Sequence, residues 1–199
     1  MALSHEEPDR VPVGELIIDY PIVERVLGRP TFYRAGFKKE EALWNGRRDE
    51  VVESYKRDCV ELVRRLGLDI AVVNLVPREG FTPRRMKRIA EDTYQDRDGR
   101  IFKRSSVTER LMPISYWDQT RPVGPGREYS PEDFVYRPPE RPDDSCFEMV
   151  RHVREELGDT HFVAGRAADI GWPTFGRNRV EGFVNVLRRP DVAERVAEV

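Results

Sequence analysis

The feature that most constrains this chain is a unit of helix, glycine and short apolar strand that occurs twice. In the first copy, apolar residues recur at helical spacing over 49–66, and Gly67 follows as a helix stop. The next segment, Leu68–Asn74, is a short apolar run. A run of this kind predicts a strand that is buried on both faces.

The second copy of the unit lies between residues 143 and 164. Asp143 or Asp144 is expected to cap the helix, apolar residues continue at helical spacing, and Gly158 ends it. Residues 160–164 then predict another buried strand. Two such units in one chain are typical of an α/β protein with a parallel sheet.

Weaker patterns predict the elements around these two units. Val11–Ile18 is expected to be an earlier strand, and Tyr20–Gly28 is expected to be a short helix. Residues 31–46 are aromatic and charged, and they are expected to be loop or irregular helix. Residues 180–199 predict two helices that are separated at Pro190.

The middle of the chain is expected to depart from the parallel pattern. Asp98-Gly99 lies between two β-capable runs within 91–105, which predicts an antiparallel hairpin inserted between the repeated units. Residues 113–142 are rich in proline, glycine and arginine, and they predict a long connection with little regular structure. In compact domains such connections often cover a functional site.

Charge and composition argue against several kinds of partner. The 199 residues include 34 basic and 36 acidic ones, and this balance favours neither nucleic acid nor an anionic membrane as partner. No apolar run approaches the length of a membrane span, and residues 1–10 lack a signal-peptide core, so we expect a cytoplasmic protein. Cys59 and Cys146 lie in predicted helices, where we expect buried thiols rather than a disulfide or a metal site.

Several stretches, in this order, resemble the uroporphyrinogen decarboxylase superfamily, and together they cover most of the chain. They are Ala2–Val13 with its Asp-Arg-Val-Pro strand entry, Leu66–Asp69 before the first apolar strand, Asp96–Arg100 in the hairpin, Phe162–Gly165 with the later Gly176, and Gly182–Val192 with its Arg-Pro-Asp-Val helix start.

This resemblance implies a partial TIM-type (β/α) barrel of parallel strands, with the hairpin and the 113–142 loop as insertions. A complete barrel takes about 250 residues. Because the chain ends within a helical pattern, we expect one domain over 1–199 that is truncated at its C-terminus.

The superfamily also implies two kinds of chemistry. Its decarboxylases use no cofactor, and its methyltransferases move methyl groups between a corrinoid and a thiol that is activated by zinc. The zinc ligands of the methyltransferases come from the later part of the barrel, so the resemblance implies no cofactor ligand among these residues and a possible zinc site in the missing C-terminal part. The three histidines likewise have no metal-ligand spacing.

Departures from the family pattern favour the methyltransferase-like or uncharacterised branch. The decarboxylases carry a Met-Arg-Gln-Ala-Gly-Arg-Tyr motif after the first strand, and its two arginines hold substrate carboxylates. Here that place is Leu16–Pro21, which contains no arginine. The aspartate that follows their second strand corresponds to Val76, and their later tyrosine falls near Trp172 or Pro173.

The expected function is therefore corrinoid-linked methyl transfer, with a small-molecule substrate and a corrinoid protein as partners. One alternative is uroporphyrinogen decarboxylation in porphyrin biosynthesis. The other is a non-catalytic half-barrel that binds a partner or forms a homodimer, because an open parallel sheet exposes an edge and an apolar face.

The candidate site residues follow from the rule that barrel enzymes place their chemistry at the carboxyl ends of the strands. A carboxylate, an amide and an arginine that converge there can bind a polar anionic ligand. The structural alternative is that Glu15 and Asp19 cap helices or pair with arginines. The expected catalytic residues are Glu15, Asp19 and Asn74, and the expected substrate-binding residues are Arg78, Arg166, Asp169 and Trp172.

Overall fold

The computed structural model describes residue 7 and residues 9–97, 99–114, 130–134, 140–166 and 179–198. The chain divides into two compact units. The first comprises residues 1–117 and 142–167, and the second comprises residues 118–141 and 168–199. The expected single domain over 1–199 stays a prediction.

The first unit contains four helices and six strands in its described residues. The helices are α1 (Tyr20–Leu27), α2 (Phe37–Trp44), α3 (Arg48–Leu66) and α4 (Glu148–Leu157). The strands are β1 (Ile70–Val73), β2 (Lys87–Ala90), β3 (Thr93–Gln95), β4 (Ile101–Arg104), β5 (Leu111–Pro113) and β6 (Phe162–Gly165).

The two helix–glycine–strand units are confirmed, and their strands are neighbours. β1 and β6 pair in parallel, with Ile70 opposite Phe162 and Val73 opposite Gly165. Gly67 ends α3 at φ 61°, a left-handed conformation that glycine adopts without a steric penalty. At the start of the second unit, the Asp143 carboxylate accepts a hydrogen bond from the Ser145 amide and caps a 3₁₀ turn that leads into α4.

The predicted strand Val11–Ile18 is wrong except for one parallel bridge between Gly14 and Ile70. Two backbone groups beyond Gly14 have partners outside a strand ladder. The Ile17 amide donates to the Glu15 carboxylate at 3.2 Å, and the Leu16 carbonyl accepts from Arg34 at 2.7 Å.

One apolar core joins α1, α3 and α4 to β1. Met149, Val153 and Leu157 repeat every fourth residue along α4 and are buried with Ala71 and Val73 of β1. Each such side chain contributes about 1.5–3 kcal/mol through burial.

The opposite face of the parallel pair is only partly covered. Ile70 and Val72 alternate with the two core residues of β1 and are half-buried, and Phe162 remains 54% exposed. The expected burial of both faces is therefore wrong for this pair within the described ranges, because the three helices cover a single face.

An antiparallel sheet follows the first parallel strand in sequence. Its order is β2-β3-β4-β5, and the turn between β3 and β4 contains Gly99 at φ 81°. The predicted hairpin is thus confirmed as the centre of a larger sheet. Residues 31–46, expected to be loop or irregular helix, contain the regular helix α2, whose Phe37 ring packs against Tyr94 of β3 at 5.0 Å between centroids.

The second unit contains helices α5 (Arg179–Arg188) and α6 (Pro190–Glu198) and a 3₁₀ turn at Pro131–Asp133. The two helices meet at Pro190, as the sequence predicts, because proline fits the first turn of a helix and not its interior. The guanidinium of Arg195 in α6 donates to the Phe134 carbonyl at 3.0 Å and so contacts the 3₁₀ segment. Most of the predicted long connection lies outside the described residues.

The fold is therefore mixed α/β, with a parallel strand pair and a separate four-stranded antiparallel sheet. Within the ranges given above, the strands do not close into a barrel. None of the helices described here has both the length and the apolarity needed to cross a membrane.

Candidate functional site

Asn74 and Arg166 lie side by side just past the carboxyl ends of β1 and β6. The Arg166 amide donates to the Val73 carbonyl at 2.8 Å, which continues the parallel ladder by one step beyond Gly165. Because side chains alternate along a strand, Asn74 and Arg166 belong to the face of Ile70 and Val72, away from the helix-covered core. The structure therefore brings together two of the predicted site residues.

Glu15 follows the bridge between Gly14 and Ile70. One of its carboxylate oxygens accepts from the Ile17 amide at 3.2 Å. Its side chain also lines a cavity of about 20 Å³ together with Tyr33 and Arg34. A space of that size holds about one water molecule, so any larger ligand of Glu15 would bind outside the cavity.

Asp19 has a local structural role. Its backbone carbonyl accepts from the amides of Ile22 and Val23 at the start of α1, at 2.9 and 3.2 Å. Its carboxylate lies 3.9 Å from the guanidinium of Arg110, which is an electrostatic contact rather than a hydrogen bond. The alternative that Asp19 sits at a helix start and pairs with an arginine therefore describes its surroundings well.

Arg78 lies near Asp143, in the segment before α4, and not beside Glu15 and Asp19. The Asp143 carboxyl has its pKa lowered mainly by hydrogen bonds from Ser145, and the nearby positive charge of Arg78 adds to this effect. Within the described ranges, no contact joins Arg78 to Glu15 or Asp19. The other two predicted site residues, Asp169 and Trp172, lie outside the described residues.

Arg48 fixes the loop that follows Asn74. This arginine is buried, with 8% of its side chain exposed, and it bonds the Pro77 carbonyl at 2.9 Å and the Glu148 carboxylate at 2.5 Å. The Val76 amide donates to the Cys146 carbonyl at 3.0 Å, so the same loop also bonds to the segment before α4. The loop conformation at the strand ends therefore depends on a residue of α3.

Asp58 fixes the segment that leads to Arg34. Its fully buried carboxylate accepts from the Thr31 hydroxyl at 2.5 Å, from the Ser54 hydroxyl at 2.7 Å and from Arg29 at 2.6 Å. Burial alone would raise the pKa of Asp58. The hydrogen bonds outweigh burial and lower the pKa, so the carboxylate stays charged.

A buried tyrosine–thiol pair lies beside the small cavity. Burial raises the pKa of the Cys59 thiol, which hydrogen-bonds Tyr33, and burial likewise raises the pKa of Tyr33. The Tyr33 ring meets the Tyr55 ring edge-on at 5.3 Å. A thiol in such surroundings is a poor nucleophile, because little thiolate forms at neutral pH.

Sequence reasoning overlooked Arg34, Arg48 and Asp58, although α3 carried a signal for one of them. Ser54 and Asp58 stand one helical turn apart, and Leu62 continues that row into the core. Polar residues in line with a buried apolar residue indicate a buried hydrogen-bond network. Arg34 and Arg48 gave no comparable local signal.

The described residues also bear on metal binding. In the ranges that the structure covers, histidine, cysteine and acidic side chains form no group of three that could hold a metal ion.

Comparison of the chain with protein-family models, with curated proteins and with solved structures gave no match.

Proposed function

We propose that this chain supplies three successive strand segments of a (β/α) barrel of the uroporphyrinogen decarboxylase type, with methyltransferase chemistry. The segments at Gly14, β1 and β6 lie side by side, all parallel and in chain order. Helices α1 to α3 precede β1, and α4 precedes β6. This is the order in which the first strands of a (β/α) barrel are laid down.

The observation that carries the proposal is the position of Asn74 and Arg166 at adjacent carboxyl ends on the face away from the helices. In barrel enzymes this is where substrates bind. A guanidinium and a carboxamide together can hold an anionic or amide-bearing ligand with directed hydrogen bonds. We assign substrate binding to these two side chains.

The proposed reaction moves a methyl group from a corrinoid, presented by a partner protein, to a thiol. The cobalt–carbon bond breaks with both electrons left on cobalt, the sulfur–carbon bond forms, and the thiol proton is released. Decarboxylation is less well supported, because Leu16–Pro21 lacks the arginines that hold substrate carboxylates in the decarboxylases. The Leu16 carbonyl in this segment instead accepts a hydrogen bond from Arg34.

The test is methyl transfer from methylcobalamin to 2-mercaptoethanol in zinc-containing buffer. The reaction is monitored through the loss of the absorbance of methylcobalamin. We expect Arg166→Gln and Asn74→Leu to lower the rate about tenfold or more, because each removes a directed hydrogen bond. Arg64→Gln is the matched control, since this exposed arginine of α3 pairs with Glu156 of α4.

Two results would contradict the proposal. One is the absence of methyl transfer by folded protein. The other is conversion of uroporphyrinogen to coproporphyrinogen with release of carbon dioxide, which would support the decarboxylase instead.

A second candidate is a half-barrel that associates with a copy of itself. The Phe162 side chain is 54% exposed on β6, and β1 is the strand that pairs with β6 among those described here. Sedimentation velocity distinguishes the candidates. A dimer that Phe162→Ser dissociates supports self-association, whereas a monomer at micromolar concentration rejects it.

A further inference from the structure

Two arginines from distant parts of the sequence reach the segment that follows the Gly14 bridge. Arg34 donates a hydrogen bond to the Leu16 carbonyl at 2.7 Å. Arg110, in the turn between β4 and β5, has a guanidinium nitrogen 3.9 Å from the Asp19 carboxylate. Leu16 and Asp19 are three residues apart in sequence, so both guanidinium groups contact the same short segment.

The two arginines are held at fixed positions by a close backbone contact. The Phe37 amide donates to the Glu109 carbonyl at 2.6 Å. A Cβ atom on Gly36 would lie 2.6 Å from that carbonyl oxygen and 2.8 Å from the Arg110 Cα, so the contact requires glycine. The segment of Arg34 and the turn of Arg110 are thus joined within a few residues of both side chains.

Backbone strain occurs on both sides of this contact. Arg34 has φ 64° and Glu109 has φ 57°, a left-handed region that residues other than glycine seldom adopt. Strain of this kind persists only where the surrounding contacts enforce it, and it is common at ligand-binding positions. The strained backbone at Arg34 and Glu109 therefore fits a contact that positions the side chains of Arg34 and Arg110.

Both guanidinium groups keep capacity for a ligand. Arg34 stacks over the Tyr33 ring at 5.6 Å and hydrogen-bonds the Tyr33 hydroxyl and the Leu16 carbonyl, which use only part of the five N–H donors of a guanidinium. The distance from Arg110 to Asp19 is too long for a hydrogen bond, so that pair does not use up the donors of Arg110.

Lys39 adds a third positive charge near Arg34 and Arg110. Burial raises the pKa of the Tyr55 hydroxyl, and the charges of Lys39, Arg34 and Arg110 oppose that rise, so all three cations are near this hydroxyl. Lys39 itself pairs with Glu40 at 2.9 Å. The acidic side chains of Glu15 and Asp19 lie on the adjacent segment, and a bound anion would compete with Asp19 for Arg110.

We propose that Arg34 and Arg110 form a binding site for the carboxylate of a small organic acid at the end of the first parallel segment. Two guanidinium groups from different segments can each give a carboxylate a charge-assisted hydrogen bond. The proposal rests on the proposed function for its place at the barrel mouth. Its test measures binding without turnover, so the carboxylate site can fail while the proposed function holds, and the reverse.

The experiment is an NMR titration of the arginine Nε–H signals in the whole chain, with propionate as probe and propionamide as its neutral isostere. Variants Arg34→Lys and Arg110→Gln assign the two signals. We expect saturable shifts of both signals with propionate and none with propionamide. Arg110→Gln should weaken propionate binding about tenfold, because one charge-assisted hydrogen bond is lost.

Two further variants sharpen the test. Asp19→Asn removes the competing carboxylate and should tighten propionate binding about threefold or more, since Arg110 then no longer interacts with an opposing charge at 3.9 Å. Arg64→Gln should leave binding unchanged, because that surface arginine lies elsewhere on α3.

Three outcomes would overturn the assignment. The first is a shift that grows linearly for all arginines alike, or no shift at all. The second is unchanged binding in Arg110→Gln when its NMR spectrum is that of a folded protein. The third is equal or tighter binding of inorganic phosphate at the same two arginines, which would replace the carboxylate by another anion.

Discussion

The Asp58 carboxylate adds a polar connection between α3 and the segment after α1, which also meet through the Tyr33 and Tyr55 rings. It is fully buried in α3, and the hydroxyl of Thr31 and the guanidinium of Arg29 reach it from the segment after α1. That segment continues into Arg34 and the cavity beside Glu15. A single charged group therefore connects the core helix to the proposed ligand site.

Replacing this carboxylate should destabilise the protein. We expect Asp58→Asn to lower the free energy of unfolding by about 2–3 kcal/mol, because it weakens several charge-assisted hydrogen bonds in a buried place. Urea denaturation at pH 7 measures the change. Glu53→Gln is the control, since its exposed carboxylate pairs with Lys56 on the same helix and should cost less than about 0.5 kcal/mol.

The contribution of Asp58 to the free energy of unfolding should depend on pH. The pKa of Asp58 is lowered in the folded state, so its stabilising contribution is complete above the unfolded pKa of about 3.9. The contribution is lost as the pH falls through the folded pKa. The difference in unfolding free energy between wild type and Asp58→Asn should therefore stay constant from pH 7 to 5 and shrink below about pH 4. A difference that grows on acidification would contradict the assignment.

The two cysteines should differ in reactivity. Cys59 is 1% exposed and its pKa is raised by burial, whereas Cys146 is half-buried. We expect iodoacetamide at pH 8 to label Cys146 at least about a hundredfold faster than Cys59, because alkylation needs an accessible thiolate. Peptide mass spectrometry of the folded protein measures both rates, and equal rates in urea serve as the control.

Single residues were predictable where a local rule applied. Asn74 and Arg166 follow from the rule that chemistry lies at strand ends, and the register places them side by side. Arg34 and Arg110 could not be found in this way, because their proximity depends on a contact between a loop and a distant turn. No spacing in the sequence encodes that contact.

The helices and strands show how the antiparallel sheet attaches to the rest of its unit. The Phe37 ring contacts Tyr94 of β3, and the Gly36–Glu109 contact lies directly beside it. Aromatic packing and one close backbone approach therefore fix the turn between β4 and β5 against the start of α2.

Gly36→Ala should disturb that attachment. The new methyl group would meet backbone atoms at 2.6 and 2.8 Å, which cannot rotate away as a side chain could. We expect a loss of about 1–3 kcal/mol in unfolding free energy, the usual cost of overpacking. Thermal denaturation measures it. Gly165→Ala is the control, because a Cβ there would meet no atom within 4 Å.

Elements with strong periodicity were predictable, whereas the weaker patterns had mixed outcomes: the helix predicted from Tyr20 is present, and the strand predicted over Val11–Ile18 is not. The stripe of α3, the stop at Gly67 and the apolar run of β1 all agree locally, so sequence and structure coincide. The strand expected at Val11–Ile18 is reduced to one bridge, because Arg34 takes the Leu16 carbonyl from outside the segment. Tertiary contacts of this kind override a short β pattern.

For the first compact unit as a whole, burial predicts where the structure is most resistant to opening. Val52, Cys59 and Val63 of α3 and Met149 and Val153 of α4 all belong to one core. We expect hydrogen exchange to be slowest in α3 and α4 and fastest in β2, whose four residues are all exposed. Mass spectrometry of exchanged peptides tests this order, and a β2 as protected as α4 would contradict it.

The ion pair between Arg48 and Glu148 has a consequence for biosynthesis, because its partners are 100 residues apart. At ribosomal speeds of about 5–20 residues per second, roughly 5–20 s pass between the two. Helices α1 and α2 precede α3 and pack against it, but until α4 emerges the part of the α3 stripe that contacts α4 stays uncovered. The nascent chain therefore presents that part of the stripe to chaperones for seconds, and a pause in translation after β1 would lengthen the exposure.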